Sequence, residues 1–374
     1  MALWDPCEES PTIYDRGNVR RARLIRSGSD LFSCHPRAAS YHSGMKKLLA
    51  VSFILLGTIL RVTAAGEYKF IKEIPISGAG GWDYLSIDAK ARRLYVTHMD
   101  KIVVVDLNND AVVGEIGDTP GVHGFAIAPE LGFSSNGREN KVSIIDLKTN
   151  RTITKLEAGE VPDAILYEPK RGEVYAFNGK GQSATVMGAR DGKVVTTIPL
   201  EGKPEFAQSQ GDRVFCNIED KNEVVVIDAS AHRVVTKWPL APGEEPTGMA
   251  IDSADHRLFV GCHNKLLVML DSVTGKVIAT APIGAGVDAC AFDDAAQLIF
   301  ASCGDGTATI AKVEGDKLNV VQTLPTEQGA RTMAFDPVTH RIYLATAKFD
   351  QNAKDEGGRP KIIDGTFRVL IYGQ

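Results

Sequence analysis

The residues with the chemistry to build a site recur about every forty positions. Asp83, His123, Asp163, Glu205, Thr247, Asp288 and Arg331 each stand at the start of a short β-type run that leads into a turn. Folding each segment as a hairpin, with Ile87 near Leu94, sets Asp83 opposite His98, His123 opposite Asn136 and Asp163 opposite Asn178. The same register sets Glu205 opposite Ile218, Thr247 opposite Cys262, Asp288 opposite Cys303 and Arg331 opposite Thr346. Arrayed around an axis, both members of each pair would approach one end of a central channel. Asp83, His98 and His123 would then converge from adjacent units on a single divalent ion. A carboxylate with two imidazoles suits zinc, copper or iron better than calcium. Calcium held by the acidic residues alone is the lesser alternative, since it takes oxygen ligands. Asp163, Asn178, Glu205, Asp288, Arg331, Cys262, His263 and Cys303 are the further ligand-binding candidates at this mouth. Cys262 and Cys303, with His263 beside the first, admit a disulfide or a soft-metal site, provided their Cα atoms approach within about 7 Å. The plainer alternative is a wet channel in which these polar residues only solvate strand ends. Like charges gathered there repel unless offset, and Arg331 is the internal counter-charge.

The elements that must position these residues are legible as a repeat. Tyr95, Phe133, Tyr175, Phe215, Phe259, Phe300 and Tyr343 occupy equivalent slots, at spacings of 38, 42, 40, 44, 41 and 43. Between them lie β-rich runs ending in aspartate, such as Val103–Asp106, Val142–Asp146, Val224–Asp228 and Leu267–Asp271, each followed by a turn and another strand. Four short strands per unit of 40 to 45 residues, without a helical period, are propeller blades. The expected fold is all-β, a seven-bladed β-propeller of four-stranded blades. The last unit lacks a fourth strand, and Glu67–Ile76 is an orphan strand at the other end of the repeat. The N-terminal strand is therefore expected to complete the last blade and close the ring, which removes exposed edges.

Tyr95-Val96-Thr97-His98, Phe133-Ser134-Ser135-Asn136 and Tyr175-Ala176-Phe177-Asn178, with Val224–Asp228 and Gly365–Gly373, resemble the signature of the YVTN (YncE-like) β-propeller repeat family. The likeness covers 67–374, although His98, Cys262 and Cys303 stand where the signature has asparagine. It implies a seven-bladed, exported propeller and specifies fold better than chemistry.

Residues 45–65 read as a secretory signal: Met45-Lys46-Lys47, an apolar stretch from Leu48 to Leu60, then Thr63-Ala64-Ala65. Arg61 cuts that run short of the roughly 20 apolar residues a membrane span needs. Residues 1–44 are expected to be an overextended start without structure, and 66–374 a single propeller domain in the periplasm or outside the cell. The whole chain of 374 residues is 44% hydrophobic with net charge −5, which excludes a disordered chain. Nine of its 42 basic and five of its 47 acidic residues lie in 1–65, leaving 33 against 42, or −9. General nucleic-acid binding is therefore not expected. Cys216, Cys262, Cys290 and Cys303 remain, with no CxxC spacing; Cys216 and Cys290 read as small apolar strand residues.

No nucleophile elbow, zinc-protease, phosphate-loop or dinucleotide motif is present. His232, His256 and His340 read as turn residues, and Trp82 as packing between blades. The long Ala347–Asp364 insertion falls on the mouth side, where it would be a lid or a loose excursion. The expectation is a monomeric binding or scaffold module that takes a small molecule or a protein at the acidic mouth. The alternative is a metal-dependent periplasmic hydrolase, lactonase- or esterase-like, with its site in the same place.

Overall fold

A computed structural model describes residues 66–354, 358 and 360–374; the expectations for 1–44 and 45–65 lie outside the described residues. Seven four-stranded antiparallel sheets follow one another along the chain as the blades of a propeller. Blade one comprises Trp82–Asp88, Arg93–His98, Lys101–Asp106 and Ala111–Ile116, ordered from the axis outward. The innermost strands of the next five blades are Val122–Ile127, Pro162–Glu168, Pro204–Gln210, Pro246–Asp252 and Val287–Asp293. A 3-10 turn at Glu219–Lys221 is the only helical element among the described residues. No helix there is long and apolar enough to cross a membrane.

The two central strands of each blade are buried on both faces, which is why they read as continuous Val, Ile and Leu runs. The seven repeat aromatics are all 2% exposed or less, and they fill the spaces between blades. Tyr95 packs against Phe125 of the next blade at 4.6 Å between ring centroids, and Phe300 packs against Phe335 at 5.7 Å. The aspartates that end the third strands are turn caps. Asp106 Oδ1 accepts the Asn108 amide at 2.8 Å, Asp146 Oδ1 that of Lys148 at 2.7 Å, and Asp271 Oδ1 that of Thr274 at 2.7 Å. The turn histidines tie neighbouring blades: His232 Nε2 lies 3.0 Å from Glu173, and His340 Nδ1 lies 2.7 Å from Asp293.

Blade seven consists of Met333–Asp336, Arg341–Thr346, Arg368–Gly373 and, on its outer edge, the N-terminal strand Lys69–Pro75. That strand pairs antiparallel with Arg368–Gly373, placing Ile74 beside Val369. Tyr68 enters the core at 2% exposure, meets Phe300 edge-on at 5.1 Å and donates its hydroxyl to the His340 carbonyl at 2.8 Å. Trp82 stacks on Phe367 at 5.2 Å, joining blade one to blade seven. The insertion after Thr346 forms a hairpin, Phe349–Lys354 with Pro360–Ile362, whose Phe349 leans on Trp82 at 6.2 Å.

If Tyr68 clamps the ring shut, Tyr68→Ala should destabilise the fold by about 3 kcal/mol, as large aromatic truncations do. The exposed neighbour Lys69→Ala should stay within about 0.5 kcal/mol. Chemical denaturation of both variants checks this, and equal small effects would mean that the N-terminal strand does not close the ring.

Candidate functional site

The innermost strands of blades one to six share a β-bulge near their start. The ladder shifts between Trp82 and Leu85, Val122 and Phe125, Pro162 and Ile165, Pro204 and Ala207, Pro246 and Met249, and Val287 and Ala289. A bulge places an extra residue on one strand, out of ladder pairing and free to turn away from the sheet. Those residues are Asp83, His123, Asp163, Glu205, Thr247 and Asp288. Arg331 holds the corresponding place in blade seven, two residues ahead of Met333.

Side chains of the adjacent strand stabilise this arrangement. The Asp83 amide donates to Thr97 Oγ1 at 3.2 Å, and the Gly124 amide to Ser135 Oγ at 2.9 Å. Position five of the second strand also reaches the following blade: Ser135 Oγ donates to the Asp163 carbonyl, Asn217 Nδ2 to that of Thr247 at 2.7 Å, and Ser302 Oγ to that of Arg331. The backbone of the ring is thus latched from blade to blade.

The bulge corrects the register read from the sequence. His98 pairs with Trp82 rather than Asp83, Asn178 with Pro162, Cys262 with Pro246 and Cys303 with Val287. The second member of each expected pair is consequently buried inside its blade. His98 is 1% exposed and stacks on Phe367 at 4.4 Å, so it does not join Asp83 and His123. Asn178 ties its own loop, donating to Ser183 and Thr185 and accepting from the Gly159 amide. Cys262 and Cys303 are free buried thiols, as are Cys216 and Cys290, so of the two alternatives for that pair the disulfide is not formed. Burial pushes the Cys262 and Cys303 thiols up to about 12. His263 lies on a connecting loop, 3.5 Å from Glu245.

The bulged residues themselves come together. His123 Nδ1 lies 2.6 Å from Asp83 Oδ2 and 3.7 Å from Asp163 Oδ1. Donor atoms of these three residues all fall within 4.8 Å of one another, a spacing that suits one metal ion. Arg331 Nε lies 3.1 Å from Asp288 Oδ2, and Lys203 bridges Glu205, at 2.7 Å, to Glu219. The next residues along two of the strands, Tyr84 from blade one and Phe206 from blade four, meet edge-on at 5.3 Å. Both rings line a small cavity of about 40 Å³ together with Leu85, Phe125 and Ile165. Towards the far end the wall turns apolar around a pocket of about 280 Å³ lined by Leu85, Ile87, Ala250, Ile251, Phe292 and Phe335, among others. A groove of about 1010 Å³ runs along blades two and three, where Lys170 pairs with Asp212 and Glu173 with His232.

Asp163 as the third donor, and the Tyr84–Phe206 contact, were not read from the sequence. The signal for the first was there: Asp83, His123 and Asp163 are spaced by forty and forty. Tyr84 and Phe206 each follow a ring residue by one position.

No family model matches the chain. It is 23% identical to the protein YncE of Salmonella typhi over 148 residues, and 22% identical to that of Salmonella typhimurium over the same length. Each match takes in 37% of this chain and 42% of the relative, so the chain spans less than half of the curated relatives it matches. Over those 148 residues the chain resembles YncE, and its fold is a propeller. Among solved structures, the Kuenenia stuttgartiensis hydrazine synthase aligns with a TM-score of 0.63 at 15% identity, covering 79% of this chain and 99% of that one. The WD40 repeats of RRP9 align with a TM-score of 0.69 at 9% identity, covering 82% and 97%. U3-55K aligns with 0.68 at 9%, covering 81% and 98%. At these identities the likeness is one of fold alone.

The electrostatics of the ring follow from its closeness. Burial raises the Asp83 and Asp288 carboxyls above the ordinary carboxylate range, against the pull of His123 and Arg331. Burial and neighbouring Asp83 lift Asp163 to about 6; burial and Asp163 lift Glu205 to about 8 despite Lys203. Burial alone would lower His123, but its bond to Asp83 and the charges of Asp163 and Asp83 carry it to about 9. In each case the folded ring holds a proton that the unfolded chain would release. The stability from Glu205 is intact below its ordinary 4.5 and is lost as pH rises through about 8. That from His123 is intact below its ordinary 6.5 and is lost through about 9. The metal-free protein should therefore lose stability between pH 6 and pH 9, and Glu205→Gln should lose less. Denaturant unfolding at both pH values checks it; equal losses would show Glu205 titrating as an ordinary carboxylate.

Proposed function

We propose that this YncE-like propeller is an exported binding module that receives a positively charged ligand at the acidic end of its channel. The observation that carries the reading is the composition of the ring. Four of its seven members are carboxylates, and its own two cations are each paired to one of them. A shallow cup of this kind favours a small cation, or the charged tip of a basic side chain on a partner protein, because acidic walls of low dielectric focus the field on the opening. The signal-like segment 45–65 supports delivery to the periplasm or the outside. A second reading, the metal-dependent lactonase- or esterase-like hydrolase, draws on the Asp83, His123 and Asp163 donor set. Lactone or ester turnover by the metal-loaded chain, lost in His123→Gln, would favour it over the binding reading.

Thermal unfolding with a panel of ligands tests the cup. Divalent metals and the polyamine spermidine form the cationic arm, and phosphate and sulfate the anionic one. At least one cation should raise the melting temperature by about 5 °C at a hundredfold excess over Kd. The combined variant Asp83→Asn, Asp163→Asn, Glu205→Gln, Asp288→Asn should show no such shift. Stabilisation by anions alone, or an equal response in the neutralised ring, would contradict the reading.

A further inference from the structure

We propose that Asp83, His123 and Asp163 are the protein ligands of one divalent transition-metal ion, an assignment that rests on the acidic cup described above and names its occupant. The three residues hold the same bulge position in three consecutive blades, so they reach one point from three rigid strands. His123 presents Nδ1 to both carboxylates, 2.6 Å from Asp83 and 3.7 Å from Asp163. Ligands around a tetrahedral ion with bonds of 2.0–2.1 Å stand about 3.3 Å apart, and these separations straddle that value. The other ring nitrogen, Nε2, rests against Gly137, where an added Cβ would come within 2.8 Å; the missing side chain gives the imidazole its place.

A second observation points independently to a ligand. Asp163 Oδ1 is a buried carboxylate oxygen with no hydrogen-bond donor. Buried polar atoms are rarely left so, and this one faces the point on which the other two donors converge. Its nearest cationic neighbour, His123 Nδ1, is beyond hydrogen-bond reach at 3.7 Å. An ion between the two would satisfy both. The backbone at each donor is already held: the Asp83 amide by Thr97, and the Asp163 carbonyl by Ser135. Two carboxylates and one imidazole suit zinc or manganese, whereas calcium would want six to eight oxygens. Three protein ligands leave coordination positions open towards the channel entrance, where a ligand of the ion can bind.

Isothermal titration of the metal-stripped full-length chain with Zn2+ and Mn2+, with Ca2+ as comparison, tests the assignment. The expected result is one Zn2+ or Mn2+ per chain, bound more tightly than Ca2+. Asp163→Asn and His123→Gln should weaken binding by at least about tenfold. Asp288→Asn, a ring carboxylate outside the donor set, should change it by less than about threefold. Circular dichroism establishes that each variant is folded, and the isosteric Asp163→Asn keeps the test open if His123→Gln is not. No binding of either transition ion by the folded chain overturns the assignment. An Asp288→Asn loss as large as that of Asp163→Asn also overturns it, showing diffuse attraction instead of a built site. In either event spermidine in the thermal panel decides separately whether the acidic cup stands: a shift lost in the neutralised ring keeps it, and no shift removes both.

Discussion

The structure of the channel entrance depends on one repeated backbone irregularity. At the start of six innermost strands an extra residue interrupts the ladder; five of these residues are Asp83, His123, Asp163, Glu205 and Asp288, while the sixth, Thr247, is buried and donates its hydroxyl to the Val287 carbonyl at 2.9 Å. Without the bulge the side chains would alternate in step with the strand, and Asp83, Asp163 and Asp288 would compete for space with the apolar packing between blades. With it, each of those five contributes its polar side chain to the ring while the remaining residues of its blade pack normally. The hydroxyls of Thr97 and Ser135 fill the gap left in the ladder, so the irregularity carries its own hydrogen bonds. Ser135, Asn217 and Ser302 extend the same device to the next blade.

A ring of carboxylates opposes folding unless the surrounding structure is strong enough to impose it. Part of the repulsion is offset within the ring, by Arg331 on Asp288 and His123 on Asp83, and part by Lys203 beneath Glu205. The remainder is carried by the closed propeller. Arg92 of blade one grips Asp336 of blade seven with two parallel bonds of 2.7 Å, and the Asp336 side chain is fully buried. The N-terminal strand braces the same seam from outside through Lys72, 2.7 Å from Asp110 of blade one, while its Tyr68 pins it to blade six against Phe300. Raised proton affinity concentrated in one cavity is a mark of functional sites more often than of structural networks, which are arranged to satisfy their charges.

The architecture was legible because it rests on periodic, short-range signals. Seven aromatics spaced by about forty residues, aspartates capping turns, an orphan N-terminal strand and a last unit one strand short specify the blade, the count and the closure. The ring positions were legible for the same reason. The partners assigned across the hairpin were not, because a bulge leaves no mark on hydrophobic alternation yet moves the pairing by one residue. One residue is enough to take His98, Asn178, Cys262 and Cys303 from the channel into the blade, since successive side chains point to opposite faces. The Tyr84–Phe206 contact was hidden for another reason: the two residues lie 122 positions apart and meet only because blades one and four face each other across the axis.

The account's central claim is that bulged residues from three adjacent blades converge on one cation. Crystals of the protein soaked in a zinc salt, with diffraction recorded on both sides of the zinc absorption edge, test it most directly. The account predicts a single strong anomalous peak in the channel entrance, within about 2.2 Å of Asp83, His123 and Asp163 donor atoms. An entrance without a peak, or one whose ring side chains point away from one another, would contradict it.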